Sequence, residues 1–341
     1  MSLRLPGLQK IAVFRALQLG DMLCAVPALR ALRAAYPAAE IVLLGLPWAS
    51  SFVQRFSSCL DRFIHFPGYE GLPEQPYDPA SFHDFTVLMQ QEKFDLLLQM
   101  QGNGNIVNRM LQKLGSQHLA GFQSSKGRMN SDLFLEYPEG INEIDRHLLL
   151  MQHLGIPSKG RELSFPITAA DRNASSRLMT MIHDQPYVII HPGSRGAWRQ
   201  WPPQYFAALA DFCASKDYRL VVTGTAEECD ITRELVKCIH APVLDLTGKT
   251  SLGAIAVLIE KADLLIANCT GVSHIAAALQ TPSFIISMDG EPERWGPLNR
   301  RLHKVIDWTT APPFEEVFRT AAEFIEQLPQ LQQMKKEHSL L

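Results

Sequence analysis

Apolar runs of strand length alternate with stretches of helical periodicity along most of the chain. Residues 10–14 form the first such run, and residues 21–36 then place Leu23, Val26, Leu29 and Leu32 at helical spacing with small residues between them. A short unbroken apolar run fits a strand buried on both faces, and the spacing that follows fits a helix laid over it. Further strands are predicted at 40–45, 62–66 and 94–100, with helices at 50–56 and 105–114. The Pro- and Gly-rich piece at 67–79 reads as a loop that could overhang a cleft. After a softer region at 162–186 the alternation resumes, with strands at 187–191, 219–224, 243–246, 263–268 and 283–287. Helices are predicted between them at 203–215, 227–238, 252–260 and 273–279, followed by an amphipathic helix at 312–327 and a polar, frayed end at 330–341. Repeated βαβ units imply parallel sheets covered on both faces, so the expectation is an α/β chain of two Rossmann-like, doubly wound domains facing each other across a cleft.

Composition narrows the class. A chain of 341 residues is comfortable for two domains, and 46% hydrophobic with 20% charged residues is ordinary for a globular protein with a sizeable core. A net charge of −3 argues against a dedicated nucleic-acid binder. The N-terminus runs into a strand without a signal-peptide apolar region, and no apolar stretch approaches the roughly 20 residues of a spanning helix. Membrane contact is therefore expected to be peripheral, using basic residues such as Arg30, Arg33, Lys126 and Arg128 unless these are simply a solvated face. The six cysteines show no metal-ligand spacing, which fits reduced thiols in a cytoplasmic protein.

Four stretches carry candidate chemistry. Residues 262–279 read as a buried strand, a polar turn at Asn268-Cys269-Thr270-Gly271 and a helix start, where unpaired N–H groups and a partial positive charge suit a phosphate; an ordinary βα turn is the plainer reading. Gly20-Asp21 lies between the first strand and first long helix, so Asp21 is either a capping aspartate or a carboxylate able to act as a general base. Residues 191–203, beginning His-Pro-Gly-Ser, carry Arg195 and Arg199 in a glycine-containing loop, a combination suited to a diphosphate, unless the tryptophans Trp198 and Trp201 merely plug a core. Glu227 and Glu228 follow a strand, where a glutamate could bind ribose hydroxyls or only favour the next helix start. Gly102-Asn103-Gly104 lacks the third glycine of a dinucleotide fingerprint and reads as a polar loop. Walker A, HExxH, GxSxG and Asp-x-Asp patterns are absent, so bound phosphates would be met by backbone dipoles and cations.

Taken in order, these segments resemble the heptosyltransferase family, glycosyltransferase family 9. The resemblance rests on Gly20-Asp21 with Val26-Pro27-Ala28-Leu29, His191-Pro192-Gly193, Arg199-Gln200-Trp201-Pro202, the run Leu246–Leu252, the run Thr270–Ala276 and Glu293-Arg294-Trp295-Gly296-Pro297-Leu298. It implies the GT-B architecture, with an acceptor-binding domain at 1–170, a donor-binding domain at 171–311, and a terminal helix and tail at 312–341 that could pack back on the first domain. It also implies inverting transfer, needing no metal or other cofactor, of a sugar from a nucleotide diphosphate, typically ADP-heptose, to a lipopolysaccharide core or similar lipid-linked acceptor. On that analogy Asp21 is the catalytic base. Ser194, Arg195, Arg199, Glu228, Cys269, Thr270, Gly271, Val272 and His274 form the donor side, and Gly20, Gln101 and Asn103 the acceptor side. The family commonly has aspartate before Thr-Gly where this chain has Cys269, so a transferase for another sugar, or a non-catalytic nucleotide-sugar binder, stays open beside the main reading.

Overall fold

The computed structural model describes residues 3–127, 129, 131–182 and 185–338. The chain divides into two compact units, Met1–Glu162 and Leu163–Leu341, rather than at 170/171.

The first unit runs β1 (Lys10–Phe14), α1 (Leu19–Ala35), β2 (Glu40–Gly45), α2 (Ala49–Arg55), β3 (Arg62–His65), α3 (Pro79–Glu92), β4 (Leu96–Gln99), α4 (Val107–Leu111), β5 (His118–Gln123), β6 (Phe134–Glu136) and α5 (Glu143–His153). Its strands form one sheet in the order β3-β2-β1-β4-β5-β6, every pair parallel. The apolar strands expected from the sequence are central: Ile11, Ala12, Val13 and Phe14 of β1 are buried, as are Leu96, Leu97 and Leu98 of β4.

The second unit runs α6 (Ala169–Ile182), β7 (Tyr187–His191), α7 (Pro203–Ala214), β8 (Arg219–Val222), α8 (Cys229–Cys238), β9 (Val243–Asp245), α9 (Leu252–Lys261), β10 (Leu264–Asn268), α10 (Gly271–Ala278), β11 (Ser283–Ser287), α11 (Pro292–Trp295), β12 (His303–Asp307), α12 (Phe314–Glu326) and α13 (Leu328–His338). Its parallel sheet has the order β12-β11-β10-β7-β8-β9, the same winding as the first when each unit is counted from its own first strand. In each sheet the winding reverses beside the unit's first strand, between β1 and β4 and between β7 and β10. The loops at the carboxyl ends of those strands diverge there and leave a crevice.

Several elements escaped the sequence pattern for identifiable reasons. Strand β5 is interrupted by Gly121 at φ 151°, and the edge strand β12 buries only His303 fully. Helix α6 buries only Ser175 and Ile182, so it presents no apolar stripe in what read as a soft linker. The polar end expected to fray is instead helical to His338. There Gln332 Nε2 donates to Asp263 O (2.8 Å) and Lys335 Nζ to Glu260 O (2.6 Å) and Thr281 Oγ1 (3.0 Å). Val317, Ala321, Phe324 and Ile325 of α12 join the second unit's core around Trp201.

Among the described residues no helix is long and apolar enough to cross a membrane. Two of the four basic residues considered for membrane docking are committed within the first unit. Arg30 donates to Glu162 O (3.0 Å), and Arg33 binds Asp61 and Ala39 O (2.7 Å). Lys126 is exposed, and Arg128 lies outside the described residues.

Candidate active site

At the first unit's crevice, the chain leaves β1 at Phe14 and enters α1 after Gln18, which is the N-cap; Asp21 is the third helical residue. Its neighbour Arg15 is almost fully buried and wraps the helix start, donating from Nε (3.1 Å) and Nη2 (2.9 Å) to Asp21 O and from Nη1 to Met100 O. Arg15 Nη2 lies 4.0 Å from Asp21 Oδ1 and 3.4 Å from Glu143 Oε1. A buried guanidinium needs a counter-charge, and α5 supplies it: Glu143 also binds Arg146 and has His147 Nε2 at 3.2 Å. Burial opposes ionisation of Glu143, but His147 and the charges of Arg15 and Arg146 outweigh it and hold this carboxyl far below its ordinary range. Burial first, and Arg15 second, push His147 down to about 4, so its ring is neutral at pH 7. Asp21 thus stands half-buried beside a built cationic frame.

The acceptor-side residues named from the sequence differ in accessibility. Gly20 is half-buried in the first turn of α1. Gln101 is buried and braces the loop, with its Oε1 accepting from Ala16 N (2.7 Å) and its Nε2 donating to Glu74 Oε1 (3.3 Å). Asn103 is half-buried and accepts from Asn105 N (3.2 Å). Gly104, at φ 80°, lies so close to Phe122 O that a Cβ would stand 2.5 Å from it, so these glycines shape a turn after β4.

At the second unit's crevice, Asn268 ends β10 and pins two loops. Its Nδ2 donates to Pro192 O (2.7 Å) and Gly193 O (3.4 Å), and its Oδ1 accepts from Trp201 N (3.1 Å). Trp201 is fully buried against Phe206 and Trp308, while Trp198 is 69% exposed, so one tryptophan of the pair plugs the core. Between them Arg199 donates from Nη2 to Cys269 O (3.1 Å) and Asp289 Oδ2 (2.6 Å), which sets its guanidinium two residues before the first residue of α10. Thr270 caps that helix through a reciprocal box with Ser273, leaving the N–H groups of Gly271 and Val272 at its start. A guanidinium beside a helix N-terminus is a seat for an anion.

Glu228 approaches the same loop from the carboxyl end of β8. Its Oε2 accepts from Thr225 N (2.8 Å) and lies 3.7 Å from His191 Nε2. Burial lowers the pKa of His191, which also contacts Thr223 Oγ1 at 3.0 Å. Glu228 closes a capping box with Thr225, and its carboxylate faces Gly193. Ser194 is buried with its Oγ unpartnered among the described residues, Arg195 is exposed, and Gly271 and Val272 are half-buried, whereas His274 is buried. The Cys269 side chain is buried, and burial, aided by Asp289, pushes its thiol up to about 12; its Sγ faces Trp295 O at 3.9 Å. Cys269 thus holds Arg199 through its carbonyl rather than its side chain.

Three residues of this architecture were not singled out from the sequence: Arg15, Glu143 and Asp289. A signal existed for Glu143, whose spacing to Arg146 and His147 is the i,i+3,i+4 spacing of one helix face. A signal also existed for Asp289, an Asp-Gly directly beyond an apolar strand.

Two doubly wound units of the same winding, each with polar groups gathered at its switch point, make up the GT-B architecture. Solved structures share this fold: the chain matches the Escherichia coli structure titled ADP-heptose lps heptosyltransferase II with a TM-score of 0.74 at 19% identity, covering 96% of this chain and 100% of that one. It matches E. coli heptosyltransferase WaaC with ADP at 0.68 and 18% identity, covering 94% and 100%. Residues 85–319 fit the family model described as glycosyltransferase family 9 (heptosyltransferase), and the chain belongs to that family and is a glycosyltransferase. Among curated relatives, the E. coli protein named lipopolysaccharide heptosyltransferase 3 is 27% identical over 299 residues, 83% of this chain and 84% of that protein.

Proposed function

We propose that the protein is an inverting transferase that moves heptose or a related sugar from a nucleoside-diphosphate donor, ADP-heptose first among the candidates, to a lipopolysaccharide core or similar lipid-linked acceptor. The observation that carries this reading is the convergence of Arg199 and the α10 start at the second switch point. The names of the relatives, and the ADP in one solved neighbour, support the choice of donor and acceptor.

In this reading the donor diphosphate rests on the N–H groups of Gly271 and Val272 and on Arg199, with Thr270, Ser194, Arg195 and His274 around it and the ribose at Glu228. The acceptor hydroxyl attacks the anomeric carbon, the carbon–oxygen bond to the diphosphate breaks, and Asp21 takes the hydroxyl proton. The departing negative charge is met by amide dipoles and a guanidinium, so the reading needs no divalent metal and no cofactor. The site of action is the cytoplasmic face of the membrane that carries the acceptor.

The test is Asp21→Asn, which keeps shape and removes the base. Nucleoside-diphosphate affinity is expected to stay within about twofold of the parent, while kcat falls by roughly 10²–10⁴, the usual contribution of a positioned base. Undiminished turnover would remove Asp21 from the mechanism.

A further inference from the structure

We propose that Asp289 positions Arg199 and tempers its charge, so that the nucleoside diphosphate produced by transfer can leave. This rests on the reading above that Arg199 meets the donor diphosphate.

The sheet register creates the pair. Asn268 of β10 lies opposite Ile286 of β11, so the turns leaving the two strands run side by side. Asp289 sits just past β11, and its carboxylate is fixed from several sides. Oδ1 accepts from Ser287 Oγ (2.9 Å) and Glu291 N (3.4 Å), and Oδ2 accepts from Arg199 Nη2 (2.6 Å). The Asp289 side chain is 12% exposed against 31% for Arg199, so the anchor is the deeper partner. The same Nη2 also donates to Cys269 O (3.1 Å). One nitrogen of the guanidinium is thereby committed to the protein, while Nε and Nη1 hold no hydrogen bond among the described residues. The N–H groups of Nε and Nη1 remain for phosphate oxygens, as separate donors on either side of the committed Nη2.

The charge argument follows from the same contact. An arginine paired at 2.6 Å with a buried-side carboxylate presents far less than a full positive charge to a ligand. An unpaired arginine in this place would bind substrate and product diphosphate more tightly alike, and uniform tightening gains nothing for the chemical step while slowing release. Asp289 keeps the orientation and gives up the surplus attraction.

The experiment is titration calorimetry of the full-length protein with ADP, GDP, UDP and dTDP, and with the matching uncharged nucleosides, beside steady-state kinetics. Asp289→Asn retains an acceptor for Arg199 and removes the charge. It is expected to tighten the bound nucleoside diphosphate roughly three- to tenfold, leave the nucleoside unchanged, and lower kcat without raising KM. Asp289→Glu is expected to return affinity toward the parent value, and Arg199→Ala to weaken the diphosphate at least about tenfold. A weakened diphosphate in Asp289→Asn, the outcome of a merely structural role, overturns the proposal, as does no change while Arg199→Ala still weakens binding. Unchanged affinity in Arg199→Ala, or no binding by any of the four diphosphates, overturns the functional reading and the proposal with it.

Discussion

Gly193→Ala separates the fold of the donor unit from its ligand chemistry. Gly193 has no positive φ, so its backbone accepts alanine. What it lacks is room: a Cβ there would stand 2.2 Å from Glu228 Cδ and Oε1 and 2.4 Å from Oε2. Those atoms are the far end of a flexible side chain, so the carboxylate moves and the backbone stays. The move breaks the hydrogen bond from Thr225 N, a loss of about 0.5–1.5 kcal/mol. Alanine also restricts the unfolded chain, a gain of about 0.4–1 kcal/mol, so net stability is expected to change by less than about 1 kcal/mol. Ligand binding has no such offset. If Glu228 holds a ribose hydroxyl, losing a hydrogen bond to a charged acceptor removes about 1.5–3 kcal/mol, roughly ten- to hundredfold in Kd. Thermal unfolding measures the first quantity and titration calorimetry with ADP and its 2′- and 3′-deoxy forms the second. The expected signature is a nearly unchanged melting temperature, weakened ADP, and a lost preference for the ribose hydroxyl. Unchanged ADP affinity in Gly193→Ala beside weakened binding in Glu228→Ala would refute the claim that Gly193 sets the place of that carboxylate.

Acid should destabilise the protein through buried neutral histidines. Burial lowers His147 from 6.5 to about 4 and His303 from 6.5 to about 3, so each takes up a proton on unfolding below its unfolded value. Their contribution is complete above about pH 6.5 and is lost toward pH 4, at about 1.4 kcal/mol per pH unit for each ring. Chemical unfolding from pH 7 to pH 5 should show this loss, and a flat profile would count against both rings being neutral in the fold. Thiol labelling gives an independent check. Cys229 and Cys238 are exposed, whereas Cys24, Cys59, Cys213 and Cys269 are buried, and burial pushes Cys213 and Cys269 up to about 12. Alkylation at pH 8 followed by mass spectrometry of the folded protein should therefore modify the first two and spare Cys269; rapid modification of Cys269 would contradict its enclosed place.

The sequence alone determined the two-unit α/β plan and marked the polar turns at the strand ends, for a shared physical reason. Strands buried on both faces must be apolar throughout, and the turns that follow them must be polar or glycine-containing, so β1, β7 and β10 with their turns stand out in any linear reading. Motifs such as His191-Pro192-Gly193 and Thr270-Gly271 sit on those turns. What remained hidden was of two kinds. Elements with little to bury, such as α6 and the edge strand β12, left no periodic trace, and the polar α13 looked like a loose end until Lys335 and Gln332 were seen bonded to backbone carbonyls. The second kind was pairing between residues distant in the chain. That Arg199 meets Asp289, that Glu143 balances Arg15, and that Gly193 is small because Glu228 packs on it are facts of sheet register and helix placement. Charge and size at single positions suggest that partners exist, but only the folded chain decides which residues they are, because burial selects pairs by proximity in space.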